Sequence, residues 1–181
     1  MEYIDRKPVV YVLSGKAQSG KNTAADIIEN YYNDKKCIQI SFAYYLKQYA
    51  KKISNWDGLE ETKPRELLQS LGIDLIKNKI DKNLLIRRTI EDILVYSYFY
   101  DVVIITDARL KDEVESIKNR FDKVVTIRVN RNNYDNNLSQ TEKNHITETA
   151  LDNYNNFDYI IENDDLDNKI LKIMEETKWM Y

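Results

Sequence analysis

Apolar and polar positions along the chain fall into two rhythms that alternate. Continuous apolar runs at 9–13, 37–41, 101–107, 123–129 and 158–162 are bounded by polar residues and read as strands. Between them lie stretches with apolar residues at helical spacing: 23–32, 42–53, 65–78, 82–98, 110–120, 146–154 and 166–179. Asn55-Trp56-Asp57-Gly58 breaks the second of these, and Pro64 sits near the start of the third, where its missing N–H costs little. In 65–78, Leu67, Leu68, Leu71, Leu75 and Ile76 share one broad face, interrupted by Gly72 and Asp74. Ile170, Ile173 and Met174 are candidate core positions of the closing helix. Residues 131–144 have no sustained hydrophobic period and read as a mobile loop, the best candidate for a lid. Strands alternating with helices predict an α/β protein: three α/β/α layers around a mainly parallel five-stranded sheet, with ligands at the carboxyl ends of the strands.

The first strand carries the most specific signal. Val9–Leu13 runs into Ser14-Gly-Lys-Ala-Gln-Ser-Gly-Lys-Asn-Thr23, a loop framed by Gly15 and Gly20 that opens a helix. This is the spacing of a phosphate-binding P-loop, in which backbone N–H groups surround a polyphosphate and the lysine reaches the β and γ phosphates. The candidate cradle is Gly15, Lys16, Ala17, Gln18, Ser19, Gly20, Lys21, Asn22 and Thr23, and it points to a nucleoside triphosphate. Asn22 stands where a Ser or Thr ordinarily ligates magnesium, so the metal contact falls to the Asn22 amide oxygen or the Thr23 hydroxyl, directly or through water.

Bulk properties narrow the partners. With 181 residues and 43% hydrophobic content, the chain suits one domain over 1–181 with a single good core. A net charge of -3 gives no global basic field, so small anionic ligands are expected rather than duplex nucleic acid. Cys37 is the single cysteine and reads as a reduced packing residue. A charged N-terminus without a signal-like apolar segment, and no apolar run near membrane-spanning length, lead to the expectation of a soluble cytoplasmic protein, monomeric or homodimeric, with no membrane partner.

Several side chains complete a candidate phosphoryl-transfer site. Asp107 ends an apolar strand at the sheet edge of the P-loop, where it can hold magnesium or its waters, cap the helix near Arg109, or do both. Arg109 either extends toward a transferred phosphoryl group or pairs locally with Asp112 or Glu113. Arg65, at a helix start, is a candidate for an acceptor phosphate, as is Arg87 of the adjacent pair Arg87-Arg88. Arg128 lies within a strand, which makes Arg131, opening the presumed lid, the better candidate for a base or phosphate contact. His145 is the only histidine and has no visible triad partner, so a structural role competes with a site role; Thr147 and Glu148 can equally cap the following helix. No covalent nucleophile is needed, because phosphoryl transfer depends on positioning and charge stabilisation.

Taken in order, the P-loop, Ser41-Phe-Ala-Tyr-Tyr-Leu-Lys47, Arg65-Glu-Leu-Leu-Gln-Ser-Leu-Gly-Ile-Asp74, Thr106-Asp-Ala-Arg109 and His145-Ile-Thr-Glu148 resemble the deoxynucleoside monophosphate kinases of phages and related bacterial proteins, a P-loop kinase family. The resemblance runs from about 9 to 151. It implies transfer of the γ-phosphoryl of ATP to a nucleoside monophosphate, with Lys21, Arg109 and Mg²⁺ stabilising the charge and Asp107, Asn22 and Thr23 as metal candidates. It also implies an acceptor side drawn from Lys47, Arg65, Gln69, Asp74, His145 and Glu148, to which the reading of the arginines adds Arg87, in a helical region at about 42–99, and a lid at about 131–148. Two departures stand out: Asn22 replaces a commonly acidic residue, and the chain is shorter than the phage enzymes. The alternatives are a kinase of another phosphorylated metabolite, of phosphomevalonate or dephospho-coenzyme A type, and a non-catalytic ATP-binding regulatory module. The supply of arginines speaks against the last, which needs no second anion site.

Overall fold

A computed structural model describes residues 3–132 and 138–180. Among them, β1 (Val9–Ser14), β2 (Cys37–Ile40), β3 (Val102–Ala108), β4 (Val124–Asn130) and β5 (Tyr159–Glu162) form one sheet in the order β2-β3-β1-β4-β5, with every neighbouring pair parallel. The connecting helices are α1 (Lys21–Tyr31), α2 (Tyr44–Ser54), α3 (Arg65–Gln69), α4 (Leu84–Tyr96), α5 (Lys111–Arg120), α6 (Gln140–Asn144), α7 (Ile146–Thr149) and α8 (Leu166–Thr177).

The apolar runs are continuous because both faces of the sheet are covered. Val9, Tyr11 and Leu13 of β1 pack with Ala24 and Ile28 of α1 and Ile170 and Met174 of α8, whereas Val10 and Val12 pack with Ile86 and Ile93 of α4 and Val114 and Ile117 of α5. Period-2 alternation thus divides one strand between two cores. A third, smaller cluster joins Leu46 and Ala50 of α2 to Leu68 and Ile76, and it holds the helical region beyond β2 together. The register of β3 against β1 slips at its end: Val12 faces Ile105, but Ser14 faces Ala108. The extra residue is a bulge of the kind that re-aims side chains beside a site, here Thr106 and Asp107.

Two expectations are corrected. Residues 65–78 are not one α-helix: α3 ends at Gln69 and Ser70–Ile80 continues as a π-helix, closed by the Asp81 N–H donating to the Ile76 carbonyl. The wider i→i+5 winding breaks the 3.6-residue stripe, so Leu68 and Ile76 are buried while Leu75 is 41% exposed. The polar stretch 131–144 is not all loop either, since Ser139 caps α6 by accepting from the Glu142 N–H while the Glu142 carboxylate accepts from the Ser139 N–H. Residues 133–137 of the expected lid lie outside the described residues.

Cys37 is half-buried on β2, and burial pushes its thiol up to about 11, in keeping with a packing role. No helix among the described residues is long and apolar enough to cross a membrane.

Candidate active site

The P-loop geometry depends on its two glycines. Gly15 has φ +148°, and a Cβ there would lie 2.3 Å from the Val129 carbonyl oxygen. Gly20 has φ +106°, and its Cβ would lie 2.4 Å from the Asn163 amide nitrogen, which donates to the Ser19 carbonyl at 2.7 Å. Backbone conformation and close approach thus both require glycine. Lys21 opens α1, is only 7% exposed, and folds its ammonium back onto the Lys16 carbonyl at 2.6 Å. Burial, reinforced by the nearby Arg109 charge, lowers Lys21 to about 7, only partly opposed by Glu148 and Asp107. Asn22 and Thr23 are exposed on the first turn of α1.

An internal carboxylate already engages this cradle. Glu148 Oε2 accepts the Ala17 backbone N–H at 2.9 Å, while Oε1 accepts from Arg109 at 2.7 Å. Asp152 bridges Lys16 and Arg128 at 2.9 Å each, and Arg131 donates to the Gln18 carbonyl at 3.2 Å. Lys16, Ser19, Arg128, Asn130, Arg131 and Asp152 line a polar cleft of about 260 Å³ on this flank.

On the other side of Arg109 a second cleft, of about 190 Å³, brings together Lys47, Lys63, Arg65, Gln69, Asp107, Arg109 and Glu148. Arg65 and Lys63 both pair with Glu60, at 2.7 and 2.9 Å. Asp107 accepts the N–H groups of Phe42 and Ala43 at 2.8 and 3.1 Å, tying the start of α2 to the end of β3. It does not cap α5; Glu113 does, taking the N–H groups of Arg109 and Leu110 at 2.7 and 2.9 Å. Arg109 pairs with Glu148 through its guanidinium, not with Asp112 or Glu113.

Three expected acceptor residues stay outside this cleft. Asp74 is exposed on the π-helix, Arg87 is exposed on α4 and pairs with Asp81 at 2.5 Å, and the His145 ring caps α7 through the Thr147 N–H and hydroxyl. Conversely, Lys63, Arg128 and Asp152 line these clefts, and Asn163 and Glu113 brace the backbone beside them, without having been singled out for it. Only Arg128 left a usable sign: a charge inside an apolar strand calls for a partner or a ligand. The Ser14 hydroxyl, sealed at the end of β1, lacks a hydrogen-bond partner among the described residues and lines a small space shared with Gly15, Arg109, Arg128 and Glu148, which suits an ordered water or a ligand oxygen.

The family model for "Deoxynucleotide monophosphate kinase" matches residues 30–173 of the chain. No curated protein matches the sequence. Among solved structures, TT1252 from Thermus thermophilus aligns with TM-score 0.56 and 13% identity over 93% of this chain and 97% of that one. The Mycobacterium tuberculosis APS kinase CysC Cys556Ala mutant aligns with TM-score 0.53 and 11% identity over 94% and 97%. At such identities the likeness is one of fold, that of the P-loop kinases.

Proposed function

The chain belongs to the deoxynucleotide monophosphate kinase family, and on that premise we propose that it transfers the γ-phosphoryl group of ATP to a deoxynucleoside monophosphate, giving ADP and a deoxynucleoside diphosphate, in the cytoplasm. The observation that carries this reading is the place of Arg109, whose side chain borders both the P-loop space and the basic cleft. A guanidinium there can contact the migrating group from both sides.

In this mechanism the P-loop N–H groups and Lys21 hold the β and γ phosphates of ATP. Lys47, Lys63 and Arg65 draw in the acceptor phosphate, one oxygen of which attacks the γ phosphorus as its bond to the ADP oxygen breaks. Catalysis is positioning plus charge neutralisation. ATP displaces Glu148 from the Ala17 N–H, leaving that carboxylate to orient Arg109. The segment carrying α6 and α7, with Leu138 on the cleft wall, is the element that closes over the substrates and excludes water.

Mg²⁺ fits this donor set as a guest of the nucleotide. No cluster of three acidic, histidine or cysteine ligands exists among the described residues, and magnesium bound to ATP takes most of its ligands from phosphate and water. Asn22 or Thr23 would supply an oxygen directly, and Asp107, whose oxygens already accept two N–H groups, would act through water. When bound, the ion neutralises phosphate charge.

The test is ADP release with ATP and magnesium across the deoxyribo- and ribonucleoside monophosphates, phosphomevalonate and dephospho-coenzyme A. Turnover with one or more deoxynucleotides is expected; turnover only with a non-nucleotide acceptor would overturn the acceptor assignment, and silence with every acceptor would favour an ATP-binding module.

A further inference from the structure

Behind the basic cleft lies a mostly apolar chamber of about 100 Å³, walled by Leu46, Leu68, Ile73 and Leu85. It shares Gln69 and Arg109 with the outer cleft, so the two spaces form one amphiphilic site, basic outside and apolar inside. A nucleoside monophosphate has that polarity. Gly72 lines the chamber, and a Cβ there would meet Leu46 at 3.2 Å.

Glu113 also borders this chamber and is 8% exposed. Its Oε2 accepts both the Arg109 and Leu110 N–H groups, while Oε1 has no hydrogen bond among the described residues. Of the described side-chain oxygens and nitrogens sealed from solvent, only Ser14 Oγ lacks a partner. Glu113 Oε1 therefore reaches open space, and the space beside it is the chamber. Above about pH 7, where the Glu113 carboxyl is ionised, it only accepts hydrogen bonds, so the occupant that satisfies it there must present a donor.

We propose that Glu113 reads the acceptor base, its free oxygen selecting bases with an exocyclic amino group over those presenting a carbonyl at that edge. This rests on the nucleotide-kinase reading above. An amino group completes the pairing of a buried carboxylate, whereas a carbonyl of thymine or uracil leaves two acceptors facing each other in an apolar wall, the arrangement that gives strong discrimination. The pairing of Oε2 with the backbone beside Arg109 fixes the reading oxygen relative to the phosphate-binding guanidinium.

The test, run well above pH 7 so that Glu113 is ionised, compares dCMP with dUMP, which differ by amino against carbonyl, and adds dAMP, dGMP and dTMP, on the wild-type protein and on Glu113→Gln. Wild type is expected to favour dCMP over dUMP in kcat/KM by at least about tenfold, mainly through KM. Glu113→Gln keeps an oxygen for the backbone N–H groups and adds a donor, so the ratio narrows or inverts. A wild type that handles dUMP as well as dCMP overturns the proposal, even if the variant fails to fold. So does a variant that loses thermal stability and slows with every acceptor while the ratio stays fixed, which would make Glu113 an anchor for β3 only. If no nucleoside monophosphate is phosphorylated at all, the failure is that of the kinase reading instead.

Discussion

The two sides of Arg109 handle anions by different means. On the P-loop side the groups proposed to meet phosphate are backbone N–H groups fixed by Gly15 and Gly20, with a lysine already buried behind them. On the acceptor side they are long side chains, two of them held by one exposed carboxylate, Glu60. A backbone cradle is formed before any ligand arrives and loses little entropy on binding, whereas a side-chain site must release its internal partners first. Glu148 belongs to both designs, holding a P-loop N–H and Arg109 at once. On the proposed mechanism, the donor side is built for a constant polyphosphate and the acceptor side for adjustment.

The largest effect should come from Lys21, the P-loop lysine proposed to meet the β and γ phosphates. Lys21→Met is expected to lower kcat by about a thousandfold or more, the scale of losing a preorganised charge-stabilising group. Its folding should not suffer, because the variant removes a buried cation. Steady-state rates alongside a urea titration check both halves; near-normal turnover would sink the comparison.

Next is backbone geometry itself. Gly20→Ala places a methyl carbon at φ +106° and 2.4 Å from the Asn163 amide, so a loss of about 1–3 kcal/mol is expected, with KM for ATP rising more than KM for the acceptor. Equal changes in the two KM values would mean that the cradle is not the more rigid side.

These two regions also differed in legibility. The P-loop was readable because glycine spacing after an apolar strand records a backbone requirement directly, and the parallel strands were readable because double-sided burial leaves continuous apolar runs. Arg65 and Arg109 were singled out from a helix start and a strand end, Lys47 and Gln69 through motif resemblance, and the four line one cleft. Asp74 stands outside it, where the segment after Gln69 winds as a π-helix that no 3.6-residue pattern encodes, and Arg87, on the regular helix α4, turns to Asp81 instead. Glu113 was weighed only as a local partner for Arg109, since its burial depends on the chamber walls contributed by distant segments.

The buried ionisable groups give the two sides opposite pH signatures. Burial pushes the Glu113 carboxyl up to about 7 from its ordinary 4.5, with Asp107 adding to the rise and the backbone N–H groups opposing it. A raised folded-state value means its contribution to stability is full below about 4.5 and is lost as pH climbs through about 7. Lys21, lowered to about 7 from 10.5, penalises folding at and below about 7, and that penalty fades as pH rises toward 10.5. Relative to wild type, Glu113→Gln should therefore gain most above pH 7 and Lys21→Met below it. Urea midpoints of all three proteins across pH 5 to about 9 read this out, and parallel profiles would show that neither group is perturbed by burial as described.

The smallest expected effect tests whether the acceptor side is held by its own carboxylate. Glu60 restrains Arg65 and Lys63, but the carboxylate is largely exposed, and such pairs are worth about 0–1 kcal/mol. Glu60→Gln should lower KM for the acceptor up to a few fold while leaving KM for ATP and the folding midpoint nearly unchanged. Salt supplies the control: the advantage of the variant should shrink as ionic strength rises, because screening already weakens the wild-type pairs. If Glu60→Gln instead raises the acceptor KM, then Glu60 positions the two cations rather than competing with the phosphate. The acceptor side would then be as preorganised as the P-loop, with its carboxylates serving as scaffold.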